Sequence, residues 1–159
     1  MPIDRSNLDE FTRAYITAAL WSSSTAECVS DTCDWRGGDS DGVSCPKCGA
    51  PVYDQSLDNL EYGIDDIAEE TLTQMIADCA TFQQDNAEWI ISEYRTHADH
   101  VDNTIDSQAG HDFWLTRCGH GCGFWDGDWT EPAATGLTEA GKRYGNVDLY
   151  VGDDGRIYA

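Results

Sequence analysis

Two pairs of cysteines have the spacing that points most clearly to chemistry. Cys28 and Cys33 form the first pair; Cys45 and Cys48, within the sequence CPKCG, form the second, with eleven residues between the pairs. Structural zinc takes four soft, deprotonated ligands in a tetrahedron, which two short chelating turns joined by a loop can supply. The glycine after the last cysteine permits a tight turn whose backbone amides hydrogen-bond the thiolates. The spacing therefore predicts a structural zinc site.

Two other states of these four cysteines stay open, namely a pair of disulfides and unligated thiols. The chain opens MPIDRSNLDE, without the basic-then-apolar layout of a secretory signal. We therefore expect an intracellular protein, in which disulfides are uncommon. The first pair has four residues between its ligands where two are commoner. A site closed by four protein ligands leaves no open position, so we expect no catalysis at this metal.

A second candidate is the glycine-spaced stretch GHDFWLTRCGHGCGFWDGDW, residues 110–129. It offers a base, an orienting carboxylate and a cation for an anionic intermediate. Its candidate binding residues are His111, Asp112, Trp114, Arg117, His120, Trp125 and Asp126. Three interpretations stay open: an aromatic hairpin with a polar rim, a binding site for a partner or small anionic ligand, and an enzyme active site. In the third, a metal-dependent hydrolase would use His111, His120 and Asp126.

Two further thiols flank the GHG sequence of this stretch. Cys118 and Cys122 are four residues apart, within reach of a local disulfide if the chain turns between them. With His120, and with other histidines nearby, a second metal site is a further hypothesis. A free pair or a disulfide is favoured over it.

Periodicity along the chain predicts three helical regions. The first begins at Ser6 or Asn7 as the cap and ends near Trp21. The second spans 67–94, with a bend or break at residues 85–86, and the third spans 137–144.

Two hairpins complete the predicted fold. Phe113 and Leu115 alternate with Trp114 and Thr116, and CGFW is expected to return antiparallel after a glycine-rich turn. Residues 147–151 and 156–158 form the final hairpin around GDDG. The sequence thus predicts an α+β fold: a small antiparallel sheet of two hairpins packed by two or three helices, with an inserted zinc ribbon.

The insert is predicted from its scarcity of apolar side chains. Residues 27–53 hold few of them, chiefly Val29, Trp35, Val43 and Val52. Such a segment buries too little apolar surface to offset the conformational entropy that it loses on folding, unless a cross-link holds it together. We therefore divide the chain into one α+β domain, 1–26 with 54–159, and an inserted zinc-ribbon-like subdomain, 27–53.

The net charge limits the classes of partner. Thirty acidic residues against nine basic ones give −21 at pH 7, which disfavours direct binding to a nucleic-acid backbone. Scattered carboxylates with almost no lysine are typical of a salt-adapted surface. A DNA mimic that inhibits a host nuclease or defence enzyme, and a plain acidic surface, are the alternatives. No apolar run is long enough to span a membrane.

Two resemblances add to these inferences. CDWRGG followed by CPKCGAPV resembles the small zinc ribbons of haloarchaeal proteins. FTRAYITAALWSS, the helix IDDIAEETLTQMIADCATFQ, GHDFWLTRCGHGCGFWD and LTEAGKRYGNVDLYVGDDGRIY together resemble a family of small uncharacterised proteins of tailed viruses of bacteria and archaea. That family usually has Asn and Ala where this chain has Cys118 and Cys122. The resemblance implies a viral origin and carries no assigned activity.

The sequence therefore favours a small acidic zinc-binding viral accessory protein in the host cytoplasm. We expect it to act by contacting another macromolecule, most simply a protein. The expected contact surface comprises the zinc insert and the tryptophan-bearing hairpin, because tryptophan is a frequent interface anchor. The DNA mimic and the metal-dependent hydrolase are the alternative functions.

Overall fold

Helices and two small antiparallel sheets make up the computed structural model, which describes residues 2–37 and 44–159. The predicted α+β class is confirmed. In chain order the elements are α1 (Glu10–Ser22), β1 (Ser24–Cys28), β2 (Arg36–Gly37), β3 (Val52–Ser56), α2 (Glu69–Asp85), α3 (Ile105–Arg117), α4 (Ala133–Lys142), β4 (Tyr150–Val151) and β5 (Ile157–Tyr158). Part of the predicted insert, residues 38–43 with Val43, lies outside the described residues.

The contacts divide the chain into two units. The helical unit comprises Met1–Ala19 and Leu72–Val147, and the sheet unit comprises Leu20–Thr71 and Asp148–Ala159. The described part of the predicted insert, 27–53, falls inside the sheet unit together with both sheets. Whether 27–53 is a subdomain of its own stays a prediction.

The first helix begins later than predicted. Asp9 caps it, since its Oδ1 accepts a hydrogen bond from the Thr12 N–H at 2.7 Å. Burial opposes ionisation of Asp9, but hydrogen bonds from Thr12 and Gln83 lower the pKa of its carboxyl. Ser6 and Asn7, the predicted caps, instead lie in a short 3₁₀ turn that precedes the helix.

The ends of the other two predicted helices also differ from expectation. The predicted break at residues 85–86 is confirmed, because α2 ends at Asp85 and the Asn86 amide donates to the Phe82 carbonyl at 2.8 Å. Residues 87–94 form turns and a 3₁₀ segment rather than a continuation. The last helix, α4, begins a turn earlier than residue 137, since the Glu131 carboxylate accepts from the first-turn Thr135 N–H.

The predicted hairpin at 113–124 is wrong, because residues 105–117 form α3. The helix starts at Thr104, whose side chain accepts from the Ser107 N–H at 3.2 Å. It ends in a Schellman motif. Gly119, at φ +70°, donates to the Thr116 carbonyl at 3.2 Å, and His120 N–H donates to the Leu115 carbonyl at 3.0 Å. The GHG sequence is thus a helix cap and not a hairpin turn.

Burial on every side from Asp112 to Arg117 explains why the second half of α3 has the sequence pattern of a strand. The side chains from Phe113 to Thr116 are all almost inaccessible to solvent. A helix that is buried all round has no polar face and so loses the 3.6-residue contrast that marks an amphipathic helix. The remaining alternation of large and smaller side chains then imitates a strand.

An aromatic cluster forms the core of the helical unit. Phe82 stacks on Phe113 with ring centroids 4.0 Å apart. Tyr15 meets Trp114 edge to face at 5.2 Å, and both rings are fully buried. Aromatic pairs in such geometries add stability beyond their buried area, so α1, α2 and α3 share one rigid core.

The sheet unit has a smaller, aliphatic core. Its first sheet has the order β2-β1-β3, and β1 pairs antiparallel with both neighbours. The predicted C-terminal hairpin is confirmed as β4–β5, where Gly152 N–H donates to the Arg156 carbonyl at 2.8 Å. The largest fully buried side chains of its described part are Leu57, Ile67 and Ile157. These three supply much less apolar area than the aromatic cluster.

Gly110 allows α1 and α3 to touch through their backbones. A Cβ atom added at Gly110 would lie 2.0 Å from the Phe11 carbonyl oxygen, far inside van der Waals contact. Since both helices are fixed by the aromatic core, neither can move away cheaply.

We expect Gly110→Ala to lower the free energy of unfolding of the helical unit by about 1–3 kcal/mol through overpacking. Gly121→Ala is the matched control, since within the described residues no atom lies near the added carbon. Its effect should stay within about 0.5 kcal/mol. Urea unfolding followed by circular dichroism measures both, and equal stabilities would contradict the close approach.

Candidate metal centre and glycine-rich motif

The four cysteines of the two pairs converge in the sheet unit. The sulfurs of Cys28, Cys33, Cys45 and Cys48 all lie within 4.8 Å of one another. The Cys28 and Cys48 sulfurs lie 3.4 Å apart and the Cys33 and Cys45 sulfurs 3.8 Å apart, so each of these contacts joins one cysteine of the first pair to one of the second. A tetrahedron with sulfurs about 2.3 Å from its centre has edges of about 3.8 Å. The cluster is positioned to hold a metal ion.

The sulfurs are not bonded to each other. A disulfide needs a separation of about 2.05 Å, and all four cysteines are free thiols in this structure. The disulfide alternative therefore has no support from the geometry.

Local hydrogen bonds shape each chelating turn. Cys28 ends β1, and its sulfur accepts from the Ser30 N–H at 3.5 Å. The Cys45 sulfur accepts from the Lys47 N–H at 3.4 Å. Gly49 has φ +77°, as expected of the glycine after the last ligand, and its N–H donates to the Cys45 carbonyl at 2.8 Å. Glycine adopts this left-handed conformation without steric cost.

Backbone N–H groups of the second chelating turn favour the thiolate form of Cys45. Desolvation opposes its ionisation, but the N–H groups of Cys48 and Lys47 and the neighbouring thiols lower its pKa to about 7. Since a metal binds the thiolate and not the thiol, a turn that stabilises the anion is already suited to the ion.

The purified chain should carry one metal ion per molecule, bound by these four sulfurs. Cys45→Ser should lose it, because three thiolates and a hydroxyl bind a soft ion far more weakly. Cys122→Ser, a thiol outside the cluster, is the control and should keep full occupancy. Elemental analysis after gel filtration measures the stoichiometry. Metal retained by Cys45→Ser would contradict the assignment.

The motif residues of 110–129 separate into three groups in the helical unit. His111 and Asp112 lie together on α3, Arg117 joins a different network, and His120, Trp125 and Asp126 lie in the segment after α3. The cysteine cluster is the one group of three or more metal-ligating side chains found among the described residues. The predicted set of His111, His120 and Asp126 therefore forms no metal cluster there, and neither do Cys118, Cys122 and His120.

Asp112 is a fully buried carboxylate with several donors. The Gln108 amide donates to both of its oxygens at 3.0 Å, and the Trp129 indole donates to Oδ2 at 2.8 Å. His111 Nδ1 lies 3.1 Å from Oδ1. A buried carboxylate with this many donors fixes the position of its neighbours, and here it orients the His111 ring.

The network continues towards the surface. Gln108 also reaches Asp128 Oδ2 at 3.3 Å, and Asp128 Oδ1 lies 3.2 Å from His97 Nε2. Gln108 and Trp129 were not among the predicted site residues. Gln108 precedes Asp112 by four residues, a spacing that brings two side chains together in a helix. It could have indicated this contact only if residues 105–117 had been predicted as a helix.

A cleft of about 440 Å³ adjoins this network. His111 and Gln108 line one side, and Glu10 and Thr104, joined by a 2.7 Å hydrogen bond, line another. An imidazole held by a buried carboxylate can accept or donate a proton at the edge of such a cleft. The pairing of His111 with Asp112 arises because α3 is helical; on a strand the two would face opposite sides.

Arg117 has a structural role, because its guanidinium is held by partners from several elements of the helical unit. Its guanidinium donates to Asp78 Oδ2 at 2.7 Å, to the Tyr15 hydroxyl at 2.8 Å, and to the carbonyls of Tyr144 and Gly145 at 3.0 and 2.9 Å. Burial raises the pKa of Tyr15 well above its usual range, so the phenol stays neutral. Arg117 thus joins α1, α2 and the turn after α4.

Trp114, Trp125 and Asp126 of the motif have different surroundings. Trp114 is buried, whereas Trp125 has 43% of its surface exposed, with the Lys142 ammonium 5.7 Å from its ring centroid. Asp126 Oδ2 accepts from the Gly123 N–H at 3.2 Å and so closes a local turn. Of the motif's predicted binding residues, Trp125 is the large apolar side chain that a partner can reach.

We expect Arg117→Met to lower the free energy of unfolding by about 3–5 kcal/mol, because it leaves the buried Tyr15 hydroxyl without this donor and the partly buried Asp78 carboxylate without its cation. Arg143→Met removes an exposed arginine and should change stability by less than about 0.5 kcal/mol. Thermal unfolding of both variants beside the unchanged chain provides the comparison. A stable Arg117→Met variant would show that the network contributes little.

None of the protein-family models, curated proteins or solved structures compared with the chain matches it. Along residues 2–37 and 44–159, no helix is both long and apolar enough to cross a bilayer.

Proposed function

We propose that the chain is a small zinc-binding accessory protein of a tailed virus, and that it acts in the host cytoplasm by contacting a host or viral protein. The convergence of four cysteine sulfurs within 4.8 Å carries the proposal. The likeness of the 110–129 stretch to tailed-virus proteins supplies the viral origin.

The donor set supports zinc as the ion. Four thiolates at tetrahedral spacing suit zinc or an iron centre. Two short turns with backbone N–H groups directed at the sulfurs are typical of structural zinc sites. Zinc has no redox chemistry, which suits an ion whose task is to hold a fold.

The ligand count supports a structural and not a catalytic metal. Catalytic zinc keeps a position for water or substrate, with three protein ligands. Here four protein sulfurs converge, and three of them lie in half-buried or buried residues. The ion's binding energy would therefore contribute to folding of the sheet unit.

The exposed side chains support action through contact. Trp125 presents its ring from the helical unit, and Tyr150 is half exposed on the sheet unit. Aromatic residues are frequent anchors at protein interfaces. A net charge of −21 favours a partner whose surface is basic overall.

The test is capture of the partner by affinity-tagged chain expressed in its host. The unchanged chain should co-purify one protein in stoichiometric amount, and Trp125→Ala should reduce its recovery at least fivefold. Trp21→Ala is the matched control, because Trp21 is exposed to a similar extent, 45% against 43% for Trp125. The proposal fails if the unchanged chain captures no protein.

A further inference from the structure

A second cleft, of about 920 Å³, lies within the sheet unit beside the metal ligands. Its walls come from the two cysteine turns and from the β4–β5 hairpin. The residues that matter here are Trp35, Gly37, Pro46, Lys47, Tyr62 and Tyr150. Its volume is at the upper end of the range for ligand sites, roughly 300–1,000 Å³.

The three aromatic rings of this cleft are held in place by their neighbours. Trp35 folds over Gly37 so closely that a Cβ atom there would lie 2.7 Å from the indole. The Arg36 guanidinium lies 5.6 Å from the Tyr62 ring centroid. Tyr150 stacks on Tyr158 at 5.7 Å. Rings that are already ordered lose little entropy when a ligand packs on them.

The cations at this cleft already bind carboxylates. Lys47 pairs with Asp34, and Arg36 pairs with Glu27 at 3.1 Å. The Lys47–Asp34 pair lies at the surface, where such contacts contribute little, whereas the Arg36–Glu27 pair is partly buried. A carboxylate from another chain can therefore replace Asp34 without leaving a buried charge.

Two residues of the cleft are bonded through their backbones to metal ligands. The Trp35 carbonyl accepts from the Cys28 N–H at 3.1 Å, and the Lys47 N–H donates to the Cys45 sulfur at 3.4 Å. The positions of the indole and of the ammonium thus depend on the sulfurs staying together. Loss of the ion would let both turns, and the cleft wall between them, relax.

We propose that this cleft binds an extended peptide segment of a partner protein, with apolar side chains on the three rings and an acidic side chain on Lys47, and that it does so only when the metal is bound. The inference rests on the proposed function, because it identifies the surface and the kind of segment through which the chain contacts its partner. Aromatic-lined grooves are an established way to bind extended peptides.

Single-stranded nucleic acid is the competing occupant, since it also combines stacking with negative charge. A polyphosphate would approach a chain of net charge −21, and it needs a run of cations along its backbone. In the described part of the sheet unit the basic residues are Arg36, Lys47 and Arg156. One or two carboxylates of a peptide match this small number better.

The experiment begins with a displayed library of random twelve-residue peptides, selected on the full metal-loaded chain. The enriched peptide is synthesised with fluorescein, and its affinity is measured by anisotropy. Tyr150→Ser and Lys47→Glu should each weaken binding at least tenfold. Chelation should abolish it, and added Zn²⁺ should restore it.

Matched controls separate the cleft from general effects. Tyr53→Ser removes a tyrosine of similar exposure, 43% against 50% for Tyr150, from β3 outside the cleft. Arg143→Glu reverses an exposed charge in the helical unit. Both should leave affinity within twofold of the unchanged chain.

Several outcomes would overturn the inference: no enriched peptide, binding unaffected by Tyr150→Ser, binding that survives chelation, or a fluorescein-labelled oligo-dT that binds the cleft more tightly than any peptide. If Tyr150→Ser captures the partner in the host as well as the unchanged chain does, the peptide-binding role of the cleft is refuted, but the proposed function is not. Failure to capture any protein would instead defeat the proposed function.

Discussion

The convergence of four cysteine sulfurs is the constraint on which the sheet unit depends. Its strands are short, with β2, β4 and β5 of two residues each, and strands of this length are not stable on their own. In the part that the structure describes, its core holds aliphatic side chains and no cluster of large rings comparable to that of the helical unit. Metal binding to a thiolate site contributes about 10–16 kcal/mol in small zinc modules, enough to compensate for so small a core. We therefore expect an ion held by these sulfurs to order the segment 27–53.

The helical unit reaches its stability by other means. Stacked rings from α1, α2 and α3 fill its interior, and two buried polar networks, around Asp112 and Arg117, tie the helices to the loops that follow them. Many residues of the glycine-rich stretch are thereby accounted for. Gly110 allows close helix packing, Gly119 caps α3, and Arg117 joins three elements. Residues of types that often serve in active sites are concentrated here because one helix and its C-terminal end need them for packing, capping and ion pairing. Trp125 and the His111 ring, which Asp112 orients from the interior, are accessible to a partner or ligand.

The sequence predicted the metal site and missed the helix for physical reasons. Chelation by CPKCG is a local event, set by a few residues and a glycine, so spacing alone carries the information. The Tyr150–Tyr158 hairpin was predictable in the same way, from alternation around GDDG. By contrast, the form of 105–117 depends on what surrounds it. With every face buried from Asp112 to Arg117, the second half of α3 has no polar stripe, and a glycine after it is compatible with either a hairpin or a helix cap. The partners of Asp112 and Arg117, among them Trp129 and Tyr15, are brought together only by the fold, and no spacing rule identifies them.

Hydrogen exchange on the metal-loaded and metal-free chain tests the central claim most directly. The account predicts that removing the ion abolishes amide protection in β1, β2 and β3 and in the cysteine turns, while amides of α2 and α3 in the helical unit remain protected. Equal protection of β1 and β3 with and without the ion would contradict it, because the sheet unit would then be shown to fold on its aliphatic core alone.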